Sequence, residues 1–122
     1  GNSNGNACNQ SPARASDAIT VGSTDSSDRL SSFSNWGNCV NILAPGSSIR
    51  SASSSSNTGY RNLSGTSMAC PHVAGAAATY LASNPNASAS AVRSYLVNQA
   101  TKNVINMRGT SGTPNALLYS TC

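Results

Sequence analysis

Charge, aromatic side chains and long apolar runs are all scarce in this sequence, and each shortage rules something out. Only 8% of the 122 residues are charged and 5% aromatic. The seven basic residues lie scattered from Arg14 to Arg108, so the net charge of +4 never gathers into a run. A nucleic-acid binder would cluster them on one face with aromatics between them, and no nucleic-acid partner is expected. The longest apolar candidate, Val73 to Ala82, is short and rich in Ala, well under the length that spans a bilayer. No membrane association is expected either. There is no Cys-x-x-Cys pair and only one histidine, His72, which argues against a zinc site. No basic-plus-apolar signal segment stands at the N-terminus, and the chain opens on Gly1-Asn2 without Met. It therefore reads as part of a longer chain with its targeting segment upstream. A domain of this size buries roughly two thirds of its unfolded surface. Here much of that surface is Ser, Asn and Gly, so a standalone core looks thin.

Ser, Ala, Asn, Thr and Gly are abundant instead. Four cysteines, Cys8, Cys39, Cys70 and Cys122, allow three pairings. With so little charge they favour an exported, disulfide-bearing protein. Residues 1–16 read as a polar surface loop. Ala18 to Gly22 and Val40 to Ala44 read as short strands, the second stopped by Pro45-Gly46. Residues 51–59, SASSSSNTG, read as a flexible loop. From Ser67 to Ser83 small and apolar residues occupy nearly every position, which predicts a helix buried on all sides. A second helix is predicted over Ser88 to Ala100, after the break Asn84-Pro85-Asn86. The tail ends in the apolar run Ala116 to Tyr119. A helix needing cover on every side is hard to house in so small a chain, a second sign that sequence is missing. Three glycosylation sequons, at Asn9, Asn62 and Asn86, arise easily in a chain this rich in Asn and Ser.

The segment Gly65-Thr66-Ser67-Met68-Ala69-Cys70-Pro71-His72-Val73-Ala74-Gly75 is the most specific. Ser67 follows a glycine and opens a helix, where its own N–H has no intrahelical partner and faces the positive end of the helix dipole. Such an N–H can donate to an oxyanion forming beside the hydroxyl. Taken alone, the same serine is an ordinary N-cap. Pro71 is expected to be tolerated as a first-turn residue.

This stretch resembles the nucleophile motif of the subtilase family, and it does so at every fixed position. Gly1-Asn2 resembles the end of the family's Ala-Ala-Gly-Asn motif. Ser11-Pro12-Ala13, Ile19 to Gly22, Ser32 to Gly37 and Ala44-Pro45-Gly46 follow in family order. The resemblance covers essentially the whole chain and is greatest to the proteinase K and aqualysin group. It implies an α/β fold: the C-terminal portion, residues 1–122, of one three-layer domain with a mainly parallel sheet and a buried central helix. It also implies a secreted serine endopeptidase that acts by Ser-His-Asp acyl transfer with broad specificity for apolar P1 residues. Ser67 would be the nucleophile and Asn2 the oxyanion-hole side chain. Gly1 would line the S1 pocket, and Thr66 and Met68 would flank the substrate, although packing support explains Met68 equally well.

His72 cannot serve as the base, because five residues of helix turn it about 500° from Ser67. Asp17, Asp25 and Asp28 have no second histidine to orient. The catalytic His and Asp are therefore expected upstream, in the N-terminal remainder of the domain, and the chain alone should be inactive. The resemblance further implies a Cys8–Cys39 disulfide. It makes Cys70 a buried free thiol, with a Cys70–Cys122 bridge as an alternative without precedent. No cofactor is required for the chemistry. The group's calcium site would draw on carbonyls near residues 16 and 18 and on a carboxylate where this chain has Asn41. An amide brings no charge there, so no strong site is expected. The partners expected are polypeptide substrates, and the state expected is a monomer. Two other readings remain at this point: a catalytically dead homologue that binds, and a Ser/Asn-rich structural domain.

Overall fold

The computed structural model describes residues 1–121, so Cys122 and any bridge to it lie outside the described residues. A 3-10 turn at Ala7–Asn9 precedes β1 (Val21–Thr24), β2 (Ile42–Pro45), β3 (Ile49–Ala52) and β4 (Tyr60–Leu63). Then come α1 (Thr66–Ser83), α2 (Ala89–Gln99), β5 (Thr101–Lys102) and β6 (Ala116–Leu117). The main sheet has the order β1-β2-β6-β5. Its first two pairings are parallel and its last is antiparallel. β3 and β4 form a separate antiparallel hairpin.

β2 shows how the sheet is covered. Ile42, Leu43 and Ala44 are all fully buried, as expected of a strand with both faces covered. Successive side chains still take opposite faces. Ile42 and Ala44 join Ala69, Val73 and Ala76 of α1 and Val92 and Leu96 of α2. Leu43 points the other way, into a cluster with Ala7, Leu30, Val40 and Ile105. The alanines of α1 let the helix lie close to the sheet. α2 starts where the Ser88 hydroxyl accepts from the Ala91 N–H at 3.2 Å, a side-chain cap. Tyr80 of α1 and Tyr95 of α2 stack with centroids 4.1 Å apart.

Several expectations change. α1 is not buried all round: it buries Thr66, Ala69, Val73 and Ala76, while Cys70, Ala74 and Ala78 on the far side are exposed. Cys70 is accordingly an exposed thiol, unbridged among the described residues, not a buried one. The sheet and α2 cover only one face of α1. Pro71 falls in the second turn, because α1 starts at Thr66. Its missing N–H leaves the Ser67 carbonyl without its i+4 donor. The two early strands start later than their apolar runs, and the first two residues of the Ser-rich loop, Ser51 and Ala52, belong to β3. The second helix falls where the spacing put it.

Candidate active site

Ser67 is exposed, one residue inside the N-terminus of α1. Gly65 caps the helix without a side chain, and its N–H donates to the Gly46 carbonyl at 2.7 Å, which ties the helix start to the end of β2. Asn2, sixty-four residues earlier, is bound directly to this turn. Its Oδ1 accepts from the Thr66 N–H at 2.9 Å and from the Thr66 hydroxyl at 2.8 Å. With the oxygen so committed, the Nδ2 end of the amide is turned away from Thr66.

The position where a Cβ would stand on Gly65 locates that end. It is 3.4 Å from Asn2 Nδ2, 3.5 Å from Met68 Sδ and 3.7 Å from the Ser67 backbone nitrogen. Two N–H donors thus flank one small space beside the Ser67 turn, and the glycine leaves that space open. Among the residues named from the sequence, Asn2, Thr66, Ser67 and Met68 meet here.

Gly1 is adjacent. A Cβ on Gly1 would run into Nδ2 of Asn35, so a side chain there meets the protein itself.

Two grooves open on either side of Ser67. The first, about 700 Å³, is lined by Gly1, Pro12, Ala13, Ile19, Thr20, Val21, Thr66 and Ser67, and by Cys70, Pro71 and Ala74 of the exposed helix face. It runs beside β1, the outermost strand of the main sheet. The second, about 470 Å³, lies between α1 and the hairpin and is lined by Ile49, Arg50, Leu63, Met68 and His72 among others.

His72 Nδ1 lies 2.8 Å from the Met68 carbonyl. In that contact Nδ1 carries the proton and donates it to its own helix. Asp25 is committed elsewhere: its carboxylate accepts from the Ser27 and Arg29 N–H groups and pairs with the Arg29 guanidinium at 3.0 Å. Slight burial works to raise its pKa, but these hydrogen bonds outweigh that and hold it below the usual aspartate value. Cys8 and Cys39 are bridged, with Cα atoms 5.2 Å apart.

Asn41, named above in connection with calcium, accepts the Thr20 N–H at its Oδ1 at 2.7 Å. The Ser16 carbonyl accepts from the Arg93 guanidinium. The described residues contain no cluster of three His, Cys, Asp or Glu side chains able to hold a metal.

This geometry has close counterparts. The chain matches the subtilase family over residues 1–117 and belongs to that family. It is 53% identical to alkaline serine exoprotease A of Vibrio alginolyticus over 98% of its length. It is 52% identical to an extracellular serine proteinase of Thermus sp. (strain Rt41A), again over 98%. A crystal structure of a cold-adapted subtilisin-like serine proteinase superposes with a TM-score of 0.92 at 52% identity, covering the whole chain and 43% of the other. The chain spans only 22% and 29% of the lengths of the Vibrio and Thermus proteins.

Sequence reasoning noted Thr66 only as a neighbour of the substrate and gave Asn35 no individual role. The signal for Asn35 was present, since it lies inside the Ser32 to Gly37 segment. Its contacts, however, run to residues some thirty positions away, which no local pattern discloses.

Proposed function

We propose that this chain supplies the nucleophile and oxyanion donors of a secreted serine endopeptidase and is completed by the remainder of one subtilase catalytic domain. The observation that carries the reading is the Asn2 amide, oriented by Thr66 so that its Nδ2 and the Ser67 N–H flank one open space. The Ser67 hydroxyl attacks the scissile carbonyl carbon while a histidine from the remainder takes its proton. The carbonyl oxygen becomes an oxyanion between Asn2 Nδ2 and the Ser67 N–H, two neutral donors that need not reorganise as charge develops. The C–N bond then breaks, the amine leaves with the proton held by the histidine, and water hydrolyses the acyl-serine.

The substrates are polypeptides, with broad acceptance of apolar P1 residues beside Gly1. Thr66 and Met68 border the reacting carbonyl. The remainder of the domain covers the exposed Cys70–Ala74–Ala78 face of α1 and extends the main sheet beyond β1. The name of the Thermus relative supports secretion, and the names of both relatives support proteolysis. The assembled domain acts as a monomer, on neither nucleic acid nor membranes. No cofactor takes part in the chemistry, and we assign no calcium to Ser16, Ala18 and Asn41, because Asn41 brings no charge where a carboxylate would.

A catalytically dead homologue would need none of this alignment. Treating the intact protein with a fluorophosphonate tests the reading: mass spectrometry should find one adduct, on Ser67, and none in Ser67→Ala. An unlabelled intact protein would refute it.

A further inference from the structure

Asn2 lies in an awkward place for a precise donor. Residues 1–4 are exposed, and no helix or strand holds them. A donor has to be held within about 0.5 Å of its productive position to be useful. Thr66 holds the tip of the Asn2 side chain, but something else must hold its backbone.

We infer that Asn35 is a positioning residue for the oxyanion donor: a buried amide that clamps the chain on both sides of Asn2. On one side the Asn35 N–H donates to the Gly1 carbonyl at 2.8 Å. On the other, its Oδ1 accepts from the Ser3 N–H at 3.0 Å, the Ser3 hydroxyl at 2.9 Å and the Gly5 N–H at 3.1 Å. One side chain thus gathers three donors from the segment that carries Asn2. Its Nδ2 is buried with no partner among the described residues and lies against Gly1, which leaves Gly1 no room for a side chain.

The clamp is itself anchored. Asn35 is only 3% exposed. The neighbouring Ser34 hydroxyl donates to the Asn35 carbonyl at 3.0 Å and accepts the Ser23 N–H of β1 at 2.9 Å. A continuous line of hydrogen bonds therefore runs from the sheet through Ser34 and Asn35 to Gly1 and Ser3, and from Asn2 through Thr66 to the Ser67 turn. An amide suits the place because it offers a rigid acceptor without a buried charge.

The inference rests on the proposed role of Asn2, and its test separates the two. kcat and KM are measured on the intact enzyme for Asn35→Ala, Asn35→Asp, Asn2→Ala and Asn2→Ala/Asn35→Ala. Each kcat is expressed per active site titrated with a fluorophosphonate, so that unfolded protein does not count. Misplacing a catalytic group by about 1 Å can cost up to about 100-fold. Asn35→Ala should lose roughly 10-fold in kcat at nearly constant KM. Asn35→Asp keeps the accepting oxygen but buries a charge, so it should lose clearly less kcat than Asn35→Ala without fully matching the parent. In the Asn2→Ala background the further loss from Asn35→Ala should vanish. If Asn35→Ala yields no titratable enzyme, the milder Ser3→Ala is read the same way. A diminished Asn2→Ala beside an unimpaired Asn35→Ala refutes the clamp alone, as does an Asn35 loss that persists undiminished without Asn2. An unimpaired Asn2→Ala refutes the oxyanion reading, and the clamp falls with it.

Discussion

Replacing both Cys8 and Cys39 by alanine should separate stability from catalysis. The bridge spans 31 residues of sequence, and on the chain-entropy account a closed loop of that length stabilises the fold by about 3–4 kcal/mol. The effect acts mostly on the unfolded chain, because the folded segment has other anchors. The Ala7 N–H donates to the Trp36 carbonyl at 2.8 Å, and the Trp36 N–H donates to the Gly5 carbonyl at 3.0 Å. The indole Nε1 also donates to the Asn4 carbonyl at 3.1 Å. The double variant of the intact protein should therefore fold and keep its kcat/KM within about 2-fold, while guanidinium unfolding shows the 3–4 kcal/mol loss. A loss below about 1 kcal/mol would show that the loop-closure reasoning fails here. A large fall in kcat/KM at full stability would show instead that the bridge, and not the hydrogen bonds around Trp36, sets the position of Asn2.

Other outcomes follow from the same geometry. In the intact enzyme Asn2→Ala should lower kcat by about 10²–10³ with little change in KM, because the lost donor acts on charge present only in the transition state. That magnitude is the one measured for the equivalent change in subtilisin, a relative. An undiminished kcat would remove Asn2 from the mechanism. For calcium, Asn41→Asp restores a carboxylate at the position that now accepts the Thr20 N–H. Adding calcium should then raise the melting temperature of the variant more than that of the parent. Equal shifts would mean that residue 41 does not govern a site.

The sequence disclosed the chemistry of the site better than its architecture. Ser67 at a helix N-terminus was legible from Gly65 and the small residues that follow, whereas its role as nucleophile came only through family resemblance. That Asn2 comes to the Ser67 turn was legible only through family resemblance, and its bond to Thr66, sixty-four residues away, was not foreseen. Composition misjudged α1. Its outer face, Cys70, Ala74 and Ala78, is apolar yet exposed, because a helix sequence records the cover it is meant to have and not the cover this chain provides. The hairpin was missed because Ser51 and Ala52 give no strand signal. Pairing with Arg61 and Tyr60 makes them one. Arg50 also reaches back over the Tyr60 ring, 4.5 Å from its centroid, a contact that residue order alone does not predict.

The central claim is that Ser67 and Asn2 belong to a catalytic site for which this chain lacks the base. Fluorophosphonate labelling of the 122-residue chain beside the intact protein, followed by mass spectrometry, tests it most directly. The intact protein should take up one equivalent, on Ser67, and the chain alone should take up none. Stoichiometric labelling of Ser67 in the pure chain would contradict the claim, because a hydroxyl with no base other than its own helix's His72 would then have proved reactive.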